Sequence, residues 1–252
     1  MEFKMKRLLL SVAMALTLPL PAISFDAASM TLSERKAFRE EIRQYLIEHP
    51  EIIVEAMDAL KEREAAAAIL ASAELVRAMS DEIFEDGHSW IGGNPDGSIS
   101  LVEFIDYRCG YCRRFSTVID DLLEFDTDIR FVVKEFPILG EQSANASRFA
   151  IATLQIAGDE AYKSVHDALY AFNGEINEAT LRRLSDTLGL DTDKIIAHMN
   201  TSEVNSVIKA NHELASELSI NGTPAIILEE SIVPGFLSLE ELLHLVEMKR
   251  ES

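Results

Sequence analysis

Apolar positions along the chain change period several times, and each change predicts a new element. Leu8 to Leu20 form an apolar run of 13 residues behind the basic Lys4, Lys6 and Arg7. That run is shorter than the roughly 20 residues a membrane-spanning helix needs. Ala22-Ile23-Ser24 sets small residues at the −3 and −1 positions of a cleavage site before Phe25. Residues 1–24 therefore read as a secretory signal peptide, with an uncleaved anchor as the weaker alternative.

From residue 31 the period becomes helical. Thr31 or Ser33 can cap a first helix whose apolar face carries Phe38, Ile42, Tyr45 and Leu46. His49-Pro50 interrupts it, because the residue before a proline is pushed out of the α region. A second helix is predicted from about Glu51 to Phe84, with Ile53, Met57, Leu60, Ala67 and Ala71 at spacings of three and four. Glu64 interrupts that seam. Residues 25–86 thus form a helical N-terminal section, suited either to self-association or to packing against its own domain.

Residues 87–252 form a second domain. Gly87 to Gly97 reads as a linker with strong turn chemistry at Gly92-Gly93-Asn94-Pro95-Asp96-Gly97. Apolar strands are predicted at Ser98–Ile105 and Ile129–Lys134, with a helix between them, which is the order of a parallel βαβ unit. Helical periods then fill residues 143–218 almost without break. Short strands at Ala225–Leu228 and Ser231–Val233 precede a last helix capped by Ser238. The fold class is α/β, with a helical block inserted between two pieces of one sheet.

Composition narrows the function. With 43 acidic against 23 basic side chains and a net charge of −20, the chain is a poor fit to a nucleic-acid backbone. Cys109 and Cys112 are its only cysteines, in Cys109-Gly110-Tyr111-Cys112, between a strand and a helix. A helix N-terminus stabilises a thiolate through its unpaired N–H groups and dipole, so the first cysteine of such a pair suits a nucleophile. The second, one turn on, suits a resolving thiol. A structural zinc site would need two further ligands, and the six histidines show no close ligand spacing. A purely structural disulfide would close too short a loop to stabilise much. Redox chemistry is the favoured reading, with no metal and no cofactor.

The order strand, Cys-Gly-Tyr-Cys, helix, strand, helical block and Gly222-Thr223-Pro224-Ala225 before a strand resembles the thioredoxin superfamily. Within it, the closest likeness is to DsbA-like exported thiol–disulfide oxidoreductases, over residues 87–250. The resemblance implies a thioredoxin fold with a helical insertion and a cis Thr223-Pro224 bond facing the cysteines. The Thr223 backbone would then pair with an extended substrate segment. It also implies a buried acid beneath the thiols, for which Glu103 fits; its carboxylate could take the Cys112 proton directly or through water. Lys134 on the neighbouring strand is a candidate partner for Glu103. Gly110 and Tyr111 would tune the pair. Cys-Gly-Tyr-Cys, the threonine before the proline and the helical N-terminal section resemble DsbC-like and ScsC-like isomerases more than oxidases. The implied function is an exported, periplasmic disulfide oxidoreductase leaning to isomerase or reductase work. Its implied partners are disulfide- or thiol-containing exported proteins and a membrane redox protein, with homo-oligomerisation a further expectation. A DsbA-like oxidase and a copper-handling or chaperone module using both thiolates are the alternatives. The acidic residues Asp120, Asp121, Glu124, Asp126 and Asp128 read as a solvated face.

Overall fold

The computed structural model describes residues 30–251; the signal peptide expected at residues 1–24 lies outside them. The described residues divide into two compact units, with the boundary between Lys61 and Glu62. No helix among the described residues is long and apolar enough to cross a membrane.

The first unit holds α1 (Leu32–Glu48) and the start of α2 (Glu51–Ala78). Thr31 and Glu34 form a reciprocal capping box that satisfies two backbone N–H groups at the start of α1. No residue of α1 is buried. Ile42 and Tyr45 on α1, with Ile53, Met57 and Leu60 on α2, are exposed apolar side chains.

The second unit is built on a five-stranded sheet in the order β1-β3-β2-β4-β5. Its strands are β1 (Trp90–Gly93), β2 (Ile99–Ile105), β3 (Ile129–Glu135), β4 (Ala225–Leu228) and β5 (Ser231–Pro234). Only β2 and β3 pair in parallel; the other three pairings are antiparallel. The βαβ unit is closed by α4 (Gly110–Phe125). Between β3 and β4 lies the helical insertion: α5 (Glu141–Ala157), α6 (Asp159–Ala171), α7 (Glu178–Thr187), α8 (Thr192–His198) and α9 (Ser202–Glu217). The last helix, α10 (Leu239–Arg250), starts on a Ser238–Glu241 capping box.

Two differences from the sequence reading have physical reasons. Residues 87–97 are not wholly a linker, because Trp90–Gly93 adds an edge strand antiparallel to β3. The turn is confined to Asn94–Gly97, where the Gly97 N–H donates to the Asn94 carbonyl at 2.9 Å. The helix expected to reach Phe84 stops at Ala78, and a separate short helix, α3, covers Ser80–Phe84.

Strand alternation sorts the core into two layers. Leu101 and Ile105 of β2 join Phe131 and Val133 of β3 and the buried stripe Cys112, Phe115, Ile119 and Leu122 of α4. Val102 and Phe104 face the other way, against Val76, Ile83, Val132 and Leu214. Burying a side chain such as Phe115 completely contributes about 1.5–3 kcal/mol, so this stripe anchors α4 firmly under its N-terminal cysteine.

Candidate functional site

Cys109 is the N-cap of α4, with extended backbone and no side chain capping the helix. Its sulfur therefore stands at free helical N–H groups. Asp106 fixes the approach to it. This buried carboxylate accepts from the Arg108 N–H at 2.7 Å through Oδ1 and from the Ile138 and Leu139 N–H groups at 2.8 and 3.0 Å through Oδ2. Its backbone carbonyl accepts from the Cys109 N–H at 3.0 Å. The sequence reading missed Asp106, although an acid next to the strand end was a visible signal for loop bracing.

The Cys109 thiol donates to the Thr223 carbonyl at 3.2 Å, across 114 positions of sequence. The Thr223–Pro224 peptide is cis. Both thiols are free in the structure, and Cys112 is fully buried while Cys109 retains 8% exposure. Beside the cis-proline lies a cavity of about 230 Å³ whose walls include Ile220, Thr223, Pro224, Ile232 and Pro234. Gly110 and Tyr111 are exposed between the cysteines.

Glu103 is buried on the α4 side of β2, and its Oε1 has no hydrogen-bond partner. Burial, with Cys109 nearby, pushes its carboxyl well above the usual carboxylate range. Burial and the Glu103 carboxylate push the Cys112 thiol up in turn. Two groups that each resist ionisation thus face one another, the setting in which one proton can be handed between them.

Lys134 does not join them. In register it sits opposite Phe104, on the face away from Glu103, which pairs with Val133. Its ammonium is buried against the Glu82 carbonyl at 2.8 Å and in an ion pair with Asp86. The period of two along β3 decides this, and it puts Glu135 rather than Lys134 on the Glu103 face.

Glu135 belongs to a buried polar group that the sequence reading did not find. The Tyr107 and Tyr162 hydroxyls donate to its Oε1 at 2.8 and 2.6 Å. With the Tyr107 proton so occupied, its 3.0 Å contact with His166 Nδ1 assigns that nitrogen as the donor, on a neutral ring. Trp90 stacks on Tyr162 at 5.3 Å, and Tyr170 closes on His166 at 4.8 Å.

This group sets a pH dependence of stability. Burial pushes the Glu135 carboxyl up to about 7, against its tyrosine donors. Its contribution is complete below the ordinary value of 4.5 and is lost as pH rises through 7. Burial holds the His166 imidazole down to about 3, so its contribution is complete above 6.5 and is lost as pH falls toward 3. Glu103 adds to the alkaline loss. Unfolding free energy measured by urea titration is expected to decline between pH 4.5 and 7. Glu135→Gln should remove a share on the order of 3 kcal/mol from that decline. A Glu135→Gln profile parallel to wild type would refute the assignment.

A parallel-centred sheet with a helical insertion, carrying Cys-x-x-C at a helix N-terminus opposite a cis-proline, defines the class of thioredoxin-fold oxidoreductases. Residues 100–247 match the family described as "DSBA-like thioredoxin domain". The chain belongs to that family. Residues 34–67 match "Copper resistance protein ScsC N-terminal domain". A thioredoxin-like oxidoreductase from Silicibacter pomeroyi DSS-3 is 37% identical, over 68% of this chain and 98% of that one, with a TM-score of 0.64. ScsC of Proteus mirabilis in a transitional conformation is 26% identical, over 87% and 98%, with a TM-score of 0.65. Among curated relatives, a Na(+)/H(+) antiporter NhaA 1 of Salinispora arenicola (strain CNS-205) is 27% identical over 153 residues, 60% of this chain and 23% of that protein. The chain thus spans about a quarter of the length of the first curated relatives it matches.

Proposed function

We propose that the chain is an exported thiol–disulfide oxidoreductase that acts on other proteins through a mixed disulfide at Cys109, with an isomerase or reductase bias. The observation that carries this reading is Cys109, partly accessible at a helix N-terminus and 3.2 Å from the Thr223 carbonyl, with Cys112 buried one turn behind. The Cys109 thiolate attacks one sulfur of a substrate disulfide, and the other sulfur leaves as a thiolate. In the resolving step Cys112 gives its proton to Glu103, directly or through water, and attacks the Cys109 sulfur. The second substrate sulfur then leaves and takes up a proton. The substrate has gained two electrons, and Cys109–Cys112 is the oxidised product. Oxidation of a dithiol runs the same steps backwards.

Thr223 and Pro224 are the proposed substrate-facing backbone, with the neighbouring cavity taking a side chain of an extended segment. Net isomerisation requires that a membrane reductase keep the pair reduced; an oxidase role requires a membrane partner that reoxidises it. The bias to isomerisation is supported by Cys-Gly-Tyr-Cys, by Thr223 and by the match over residues 34–67. Export is supported by residues 1–24, and self-association by the exposed apolar side chains of α1 and α2.

The reading is tested with the reduced full-length chain, a scrambled-disulfide substrate and sedimentation equilibrium. We expect recovery of native disulfides by a species larger than a monomer. A monomer that oxidises dithiols but unscrambles nothing would sink the isomerase reading in favour of an oxidase. The match to a family described by copper resistance favours a second reading, Cu(I) held between the two thiolates, since soft ligands suit that ion. Insulin reduction that survives a copper chelator and is lost in Cys109→Ser supports the enzyme; inactivity with tight Cu(I) binding supports the second reading.

A further inference from the structure

The stretch Arg108-Cys109-Gly110-Tyr111-Cys112-Arg113-Arg114 gathers three guanidinium groups at the thiols of a chain that carries −20 overall. Elsewhere in the second unit, Arg77, Arg130, Arg182 and Arg250 close on the carboxylates of Glu230, Glu85, Glu178 and Asp126, while Arg148 and Arg183 bond the neutral oxygens of Asn205 and Thr180. The three arginines at the site form no ion pair among the described residues. Arg108 donates to the Gly174 carbonyl at 3.1 Å. Arg113 donates to the Phe172 carbonyl at 3.0 Å and to Asn173 Oδ1. These neutral acceptors orient the side chains without pairing their charge.

On the α4 side Asp120 and Asp167 share a cavity with Arg113, and Lys163 engages both at 3.4 and 2.7 Å, so two carboxylates against one ammonium partly offset the Arg113 charge. On the other side Arg108 lines a cavity with Glu141 and Glu175, so its field is partly offset. The uncompensated positive charge is therefore concentrated at Arg114.

Arg114 is exposed. Its guanidinium lies 4.4 Å from the centre of the Tyr111 ring, one turn earlier on α4 and itself 57% exposed. Stacking on the ring fixes the plane of the guanidinium and leaves its N–H edge open, the geometry that suits a carboxylate gripped by two parallel hydrogen bonds. Tyr111 stands between the two cysteines, so whatever the platform grips lies within a few residues of the reacting sulfur.

We propose that the Tyr111–Arg114 platform is a specificity surface for acidic side chains flanking the reacting cysteine of the substrate polypeptide. This rests on the oxidoreductase reading and adds a substrate class to it. Charge complementarity at the rim acts mainly through the encounter rate and weakens with salt.

The probes are three disulfide-bridged peptides of one length, with Glu, Gln or Lys at the two positions flanking the cysteine. Reduction by the full chain is followed as kcat/KM. At low ionic strength the Glu peptide is expected to exceed the Lys peptide by about tenfold, the low end of electrostatic steering. The ratio should fall toward one at high salt and in Arg114→Gln, reverse in Arg114→Glu and persist in Arg114→Lys. Equal rates on all three peptides, or an unchanged ratio in Arg114→Glu, would overturn the specificity and leave the oxidoreductase reading standing. Failure to reduce any peptide would overturn both.

Discussion

Cys112→Ala is expected to strand substrates on the protein as mixed disulfides, while Cys109→Ala strands none and both variants lose turnover. The asymmetry follows from burial. Cys109 keeps 8% exposure beside the Thr223 carbonyl, whereas Cys112 has none and lies in the core stripe of α4. A substrate disulfide can reach the first sulfur and not the second. Removing Cys112 leaves the first exchange intact and deletes the group that reverses it. Non-reducing electrophoresis of each variant after incubation with a disulfide substrate, followed by mass spectrometry of the adducts, reads this directly. Adducts that form through Cys112 in Cys109→Ala would invert the assignment.

The second large effect belongs to Glu103. In Glu103→Gln, decay of the mixed disulfide near neutral pH should slow by about 100-fold, the lower end of what a positioned general base contributes. Two consequences of the substitution oppose each other. The amide cannot accept the Cys112 proton, but it also removes a negative neighbour that pushes the Cys112 thiol up. The loss wins, because burial is the larger cause of that upward push and survives the substitution. The pH profile separates the cases. Wild-type decay should follow a carboxyl held above the usual range by burial, and in Glu103→Gln that inflection should vanish. Stopped-flow quenching across pH 5 to 9 measures both. An unchanged inflection would assign the proton transfer to another group.

Much of this arrangement was legible in the chain because its signals are local. The strand running into Cys-x-x-Cys, the Thr223-Pro224 step before a strand, and the placing of Glu103 on the face opposite Val102 and Phe104 all follow from short spacings. The Lys134 assignment failed on parity alone: adjacent residues on β3 look to opposite faces, and the same count would have pointed to Glu135. The polar group around Glu135 could not be read in that way. Its members come from the end of β2, the end of β3 and α6, and no spacing in sequence announces that Tyr107, Tyr162 and His166 meet one carboxylate network. Strand β1 was hidden for a related reason. Four residues containing two glycines carry little strand preference, and only pairing with β3 makes them a strand. The break between α2 and α3 near Met79 had no proline or glycine to mark it.

Asp106 separates two kinds of change at this site. With two oxygens engaging three backbone amides from two loops, its carboxylate sets the position of Cys109 from behind. Tyr111 and Arg114 take no part in those hydrogen bonds. On the proposed reading, substitution of Arg114 changes what is recognised while the Asp106 bracing keeps the reactive atom in place. The placement of the reactive sulfur and the proposed recognition surface thus rest on different residues, the Asp106 carboxylate and the outer turn of α4.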